Sequence, residues 1–328
     1  MQKLRADNIQ DGAEMPSGAP VIIVAGPTAS GKSHLAMVLA ERHGGEIVNA
    51  DSMQIYRELS ILTARPDAAD TARVAHHLYG VLSVAESCSA GVWLNLAMAA
   101  IEDIRGRGRL PIVCGGTGLY LKVLRDGIAP VPDVPEAVVK AGGDMYDRDG
   151  AAAFHARLGA LDARAAERLP PADRQRLIRA YAVVTATGRT LDQWQADQPA
   201  TAGVGGPFFT LLLAPERDAL YERIGARFAA MVEAGALDEI AALRRLDLDP
   251  DLPALKALGV PEFTACLDGD LSLDEAVARA QQLTRNFAKR QTTWFRHQLS
   301  AELTCDEFGH GAVDKADAAL SEYLGRQT

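Results

Sequence analysis

The stretch Val21 to Ser33, VIIVAGPTASGKS, constrains this chain more than any other, because four β-branched residues run straight into a glycine-rich loop and then a helical pattern. β-branched side chains suit a pleated, buried strand. Gly26, Pro27, Thr28, Ala29, Ser30, Gly31, Lys32 and Ser33 fit G-x-x-x-x-G-K-S, and the flanking strand and helix are the context that this motif requires. Its physical sense is an anion cradle. The glycines leave backbone N–H groups free to turn toward one ligand, Lys32 adds a positive charge, and the Ser33 hydroxyl is suited to Mg²⁺. Any diphosphate fits such a loop, so it does not by itself specify ATP.

Further β-rich runs at Glu46 to Ala50, Leu78 to Leu82, Leu110 to Cys114 and Phe208 to Leu213 alternate with helix-compatible stretches such as Ser33 to His43 and Val92 to Arg105. That alternation predicts an α/β fold with a parallel sheet covered by helices on both faces. In such sheets the site lies beyond the C-terminal ends of the strands. The phosphate loop, Asp51 in NADSMQIY and the loop GGTGLY should therefore converge. The pattern stops between Leu124 and Pro207, where IAPVPDVPE opens and TAGVGGP closes an Ala- and Arg-rich helical stretch. An inserted all-helical domain is expected there. The resulting division is a flexible tail over 1–19, a phosphate-loop core over 20–128 and 207–300, an insertion over 129–206, and a segment 301–328 without a readable motif.

Composition excludes several classes. The N-terminus has no apolar run of signal-peptide or membrane-span type, and four widely separated cysteines suggest neither a zinc site nor a disulfide framework. The expectation is a cytoplasmic protein with no membrane association, acting as a monomer. A net charge of −9 argues against a chain coated in nucleic acid, yet the charge is uneven. Arg164, Arg168, Arg174, Arg176, Arg179 and Arg189 meet only Glu167 and Asp173 between them in the sequence, and Arg285, Lys289, Arg290 and Arg296 meet no acid.

Five places carry chemistry. Asp51, just past a buried strand, can be a Mg²⁺ ligand, a general base or a helix cap, and its neighbours Ser52, Gln54 and Tyr56 favour recognition of a second substrate. The glycines around Thr117 allow a ligand to approach closely, or simply make a tight turn. On the helix from Glu216, Arg227 falls near the middle of the apolar stripe Leu220, Ile224, Phe228 and Met231, so it needs an anion, either a carboxylate or a bound phosphate. Arg223 lies further round, solvated or paired with Glu222 or Asp218. In the insertion, Leu177, Ala180, Tyr181 and Val184 predict a buried stripe, with Gln175, Arg176 and Arg179 projecting from the surface toward RNA or toward solvent. In TRNFAKRQTTWFRHQ, the aromatic residues Phe287, Trp294 and Phe295 serve either stacking or the core.

Taken in order, GPTASGKS, NADSMQIY, GGTGLYLKVL, DRQRLIRA, TGRTL, RIGARFAAMVEAGALDE, ALG and FAKRQTTWFR resemble the tRNA dimethylallyltransferases, also called tRNA isopentenyltransferases, over roughly Val21 to Arg296. The resemblance implies transfer of a dimethylallyl group from dimethylallyl diphosphate to N6 of adenosine 37, beside the anticodon, with Mg²⁺ held at Ser33. It implies Asp51 as general base, the loop from Gly26 to Ser33 on the diphosphate, and Thr28 and Arg227 among the groups acting at the reaction centre. It further implies that Asp51, Ser52, Met53, Gln54, Thr117, Gln175, Arg176, Leu177, Ile178 and Arg179 meet the anticodon stem-loop. The chain departs from the family pattern at Leu62 and Arg65, where G and K are usual, near Val138, where an arginine is usual, and at Tyr181, Ala182 and Val260. A small-molecule kinase or a non-catalytic nucleotide-binding module shares the phosphate loop but has no use for the basic helical insertion.

Overall fold

The structure is a computed structural model that describes residues 18–197 and 203–326. All but the end of the expected N-terminal tail, and part of the Gly-rich stretch that closes the insertion, lie outside the described residues. The chain divides into two compact units, one made of residues up to Arg125 and from Val204 onward, the other of Asp126–Gly203.

The first unit is an α/β layer structure. Strands β1 (Val21–Ala25), β2 (Gly45–Asn49), β3 (His76–His77), β4 (Leu110–Gly115), β5 (Phe208–Leu213) and β6 (Leu303–Cys305) form one sheet in the order β3-β2-β4-β1-β5-β6. Every pairing in it is parallel. β1 is fully buried between β4 and β5, which is why its sequence is continuously apolar rather than alternating. Ile22 and Val24 share a core with Leu35, Leu39, Ala316 and Leu320, from the helices Lys32–His43 and Val313–Gly325. The helix Ala90–Gly106 packs against β2 and β4, and its buried Trp93 donates Nε1–H to the Asn49 carbonyl at 2.9 Å. Beyond β5, the helices Arg217–Glu233, Ala236–Arg244, Val260–Leu267 and Leu273–Gln298 complete the unit.

Two expectations need correction. The run Leu78 to Leu82 is not a strand: pairing with β2 ends at His77, Leu78 and Gly80 take positive φ, and only Leu82 bridges back, to Tyr56. The segment after 300 is no appendix. It supplies β6, which pairs with β5, and a helix that buries Ala316 and Leu320 in the main core.

The second unit is helical throughout its described residues, with helices Glu136–Asp149, Ala151–Leu161, Ala163–Arg168, Arg174–Thr187 and Leu191–Ala196. Its core gathers Phe154, Leu158, Ala165, Leu169, Leu177, Ile178 and Ala180. The Asp173 side chain caps the Arg174–Thr187 helix by accepting from the Arg176 N–H, and Gly188 ends it in the left-handed region.

Candidate active site

The phosphate loop follows β1, and the helix after it begins at Lys32. The loop is held from two sides. Ser30 N–H donates to the Pro27 carbonyl at 3.2 Å. Thr28 N–H donates to Gln291 Oε1 at 2.9 Å, while Gln291 Nε2–H donates to the Gly116 carbonyl at 2.8 Å. Gln291, buried on the Leu273–Gln298 helix, thus ties the phosphate loop to the loop after β4. Sequence reasoning passed it over, since a neutral amide among basic and aromatic neighbours gives no signal. The tie also occupies the Thr28 amide, which leaves Thr28 its hydroxyl to offer. Lys32 is enclosed, with Nζ at 3.5 Å from the Pro27 carbonyl. Burial draws its pKa down, and Asp51 and Cys114 pull it back up.

Asp51 is set by its own turn. Its N–H donates to Asn49 Oδ1 at 2.8 Å, and its Oδ1 accepts from Met53 N–H at 3.0 Å. No regular helix starts there, so the capping alternative is excluded, and Oδ2 takes no hydrogen bond among the described residues. Thr117 is a fastener for this turn: its N–H donates to the Ala50 carbonyl at 3.1 Å, and its Oγ1 accepts from Ser52 N–H at 3.0 Å. Gln54 reaches the other way, donating to the carbonyls of Thr63 and Ala64 at 2.8 and 3.1 Å.

The Thr63 carbonyl also accepts from Arg227 Nη2–H at 3.1 Å, and Arg227 Nη1 lies 3.4 Å from Thr28 Oγ1. These neutral contacts are what Arg227 has: it makes no ion pair among the described residues, so the carboxylate-partner alternative falls. Surrounding atoms crowd the guanidinium although part of it still meets the cleft. Burial draws its pKa down, Asp51 opposes that shift, and Arg223 adds to it. The 60–64 loop that carries Thr63 is fixed by Glu239, whose carboxylate accepts from the N–H groups of Ser60, Ile61 and Leu62 at 2.7 to 3.0 Å. Of the two alternatives for Arg223, the pairing with Glu222 or Asp218 is absent among the described residues: the side chain is exposed, and its guanidinium lies 4.6 Å from the centre of the Phe308 ring.

These groups border one cleft of about 760 Å³, lined by Thr28, Ala29, Gly31, Lys32, Ser33, Asp51 to Gln54, Leu62 to Ala64, Arg223, Arg227, Lys256, Phe287 and Arg290, among others. Among the described residues, five Lys and Arg side chains meet a single carboxylate in it. Such a lining favours a polyanion. For a hard cation the walls offer the exposed Ser33 hydroxyl and the Asp51 carboxylate, and no group of three or more His, Cys, Asp or Glu gathers among the described residues. Oxygen donors this few fit Mg²⁺, which keeps several waters and binds largely through substrate phosphates. They do not make a closed metal cage. The second basic stretch is divided: Phe295 is core, whereas Phe287 and Arg290 line the cleft.

The helical unit corrects its expectations more heavily. Leu177 and Ile178 are buried in its core, so their side chains cannot meet RNA, and the buried stripe runs through Ala180, Ala182 and Val183 rather than Tyr181 and Val184. Gln175, Arg176 and Arg179 are exposed. Most of the surrounding arginines are neutralised by acids distant in sequence. Arg168 pairs with Asp192 at 2.9 Å, Arg174 with Asp147 at 2.5 Å, Arg189 with Asp197 at 3.0 Å, and Arg176 weakly with Asp173 at 3.4 Å. Among the described residues Arg164 and Arg179 make no ion pair. No helix among the described residues is long and apolar enough to cross a membrane.

A family model described as IPP transferase matches residues 54–298, and one described as isopentenyl transferase matches 19–79. Curated relatives called tRNA dimethylallyltransferase include one from Rhodospirillum centenum, 52% identical over 287 residues, spanning 88% of this chain and 91% of its own. Another, from Rhodopseudomonas palustris, is 47% identical over 320 residues, spanning 97% and 98%. Among solved structures, the tRNA isopentenylpyrophosphate transferase of Bacillus halodurans superposes with TM-score 0.66 at 31% identity, over 94% of this chain and 97% of that one. A eukaryotic dimethylallyltransferase acting on tRNA gives TM-score 0.70 at 28% identity, over 84% and 69%. With the matched region covering most of the sequence and the relatives aligned nearly end to end, the chain belongs to the IPP transferase family.

Proposed function

We propose that this chain transfers a dimethylallyl group from dimethylallyl diphosphate to N6 of adenosine 37 of tRNA. The observation that carries the reading is a carboxylate with one oxygen unengaged, Asp51, in the same cleft as Lys32 and an arginine without an acidic partner. Family membership sets aside the kinase and the non-catalytic module.

The chemistry is an in-line displacement at the allylic carbon. A C–N bond forms to N6 as the C–O bond to the diphosphate breaks. Charge grows on the leaving diphosphate, where Lys32, Arg227, the Thr28 hydroxyl and the loop N–H groups meet it. Ser33 would hold Mg²⁺, which would supply further neutralisation of that charge. Adenine N6 is a poor nucleophile because its lone pair is delocalised, so Asp51 accepts its proton as the new bond forms. Ser52, Met53 and Gln54, beside Asp51, are positioned by Thr117 and the Thr63 carbonyl to border the base. To enter the cleft the base leaves its stack, which costs less in a loop than in a duplex. Gln175, Arg176 and Arg179 take the backbone of the anticodon stem-loop. The same reading takes the enzyme to act as a monomer in the cytoplasm, where its tRNA substrate is met free.

The test is incubation of the protein with tRNA and labelled dimethylallyl diphosphate, with Mg²⁺ and without ATP. Label should enter tRNA and should not enter a transcript carrying guanosine at position 37. Absence of label from wild-type tRNA sinks the reading.

A further inference from the structure

Resting on the diphosphate reading of the cleft, we propose that Arg223 is a second guanidinium for the diphosphate, and that the turn Phe308–Gly309 of the C-terminal segment positions both Arg223 and the phosphate loop. This segment follows the region matched by the family model, which ends at 298.

Three observations converge on it. First, Gly309 N–H donates to the Ser30 carbonyl at 3.0 Å, inside the phosphate loop. In a trans peptide the carbonyl and the next N–H point oppositely, so the Gly31 N–H is turned away from the C-terminal turn. The close approach leaves no room for side chains. A Cβ on Gly31 would sit 2.7 Å from the Gly309 nitrogen, and one on Gly309 would run into the Gly31 carbonyl oxygen. Gly31 also has φ +87°, which favours glycine.

Second, the Arg223 guanidinium lies 4.6 Å from the centre of the Phe308 ring, the distance of a cation held over an aromatic face. The ring of His310 stacks near-parallel to Phe308, at 6.4 Å and 8°. Third, Arg223 and Arg227 stand one helical turn apart, both line the cleft, and neither makes an ion pair among the described residues. Like charges at that spacing repel. Arg223 accordingly adds to the downward shift of the Arg227 pKa. An acid between them would have relieved the repulsion, and a diphosphate supplies the missing charge. The Phe308 face keeps Arg223 at the cleft while the anion is away.

The experiment measures binding of inorganic pyrophosphate with Mg²⁺ to the full chain by titration calorimetry, with a melting curve for each variant. Arg223→Gln should weaken pyrophosphate by roughly 10- to 100-fold, the share of a hydrogen bond to a charged group. Phe308→Leu should weaken it by roughly 2- to 5-fold, and Phe308→Tyr, which keeps the ring face, should restore it. In the Arg223→Gln background, Phe308→Leu should add no more than about twofold, because it acts through the absent guanidinium. Affinity within about twofold of wild type in Arg223→Gln overturns the assignment of Arg223. An undiminished effect of Phe308→Leu in the Arg223→Gln background overturns the positioning of Arg223 by the ring. Should Phe308→Leu unfold, Arg223→Gln and Phe308→Tyr still decide. Pyrophosphate binding requires no prenyl transfer. A transferase indifferent to Arg223 therefore sinks this inference alone, and an inactive protein that still needs Arg223 sinks the proposed reaction alone.

Discussion

The arginines of the cleft and those of the helical unit make opposite arrangements from the same residue type. Arg227 is crowded, desolvated and without an acid among the described residues, held by a carbonyl and a hydroxyl, whereas Arg168 and Arg174 are exposed, Arg189 is half-buried, and each of these three pairs with an aspartate. Exposed pairs contribute little to stability and are screened by salt. A desolvated cation without a partner costs stability until an anion arrives. The difference teaches where the protein keeps uncompensated positive charge: Arg227 holds it in the cleft, whereas aspartates neutralise most of it in the helical unit.

Four substitutions test that contrast. The largest effect belongs to the carboxylate of the cleft. Asp51→Asn should lower single-turnover transfer by on the order of 10²- to 10⁴-fold with both substrates saturating, the usual share of a general base. Near-normal transfer by this variant would remove Asp51 from the chemistry, and recovery at raised Mg²⁺ would make it a metal ligand instead. Next, Arg227→Met should lower turnover by on the order of 10²- to 10³-fold, as for loss of one preorganised donor. Its melting temperature without ligand should rise, because a desolvated cation is gone while the Thr63 carbonyl still receives Gln54. A fall in melting temperature would mean that Arg227 supports the fold and that the contrast with the surface arginines is false.

Glu239→Gln replaces one of two acceptor oxygens by a donor facing the Leu62 N–H. It should cost about 1–3 kcal/mol of stability in denaturant titrations. It should also raise the KM for the diphosphate, since the loop that orients Arg227 loosens; an unchanged KM at lowered stability would confine Glu239 to the fold. The smallest effect is expected at the helical unit. The Arg176→Ala/Arg179→Ala pair should flatten the salt dependence of tRNA affinity by a slope of roughly 0.7 to 0.9 for each phosphate that is no longer neutralised, leaving diphosphate affinity unchanged. An unaltered slope would take both arginines off the RNA.

What the sequence made legible follows the same division. Val21 to Ser33 could be read because a buried parallel strand must be apolar throughout and the loop after it has fixed spacing. Arg227 could be read because it interrupts an apolar stripe. The ion pairs of the helical unit could not, since Arg168 meets an acid 24 positions away and Arg174 one 27 positions away. Leu78 to Leu82 misled through its composition, as Leu78 adopts a left-handed φ that a β-rich run gives no hint of. β6 is three residues long, below what periodicity resolves, so the segment that touches the phosphate loop looked featureless. Gln291 joins residues 263 and 175 positions away, a tie that only the folded chain reveals.

The strand order also sets a timetable for synthesis. β1 emerges from the ribosome early, yet its neighbour β5 does not begin until Phe208, and the turn at Gly309 comes later still. At about 5–20 residues per second, one edge of β1 stays unpaired for roughly 10 to 40 s. An apolar strand exposed that long is a site for chaperone capture or misassociation. A nascent chain stalled before Leu303 should therefore remain sensitive to protease with or without pyrophosphate. The phosphate loop, among the first parts made, meets its Gly309 contact only after β6 has been made.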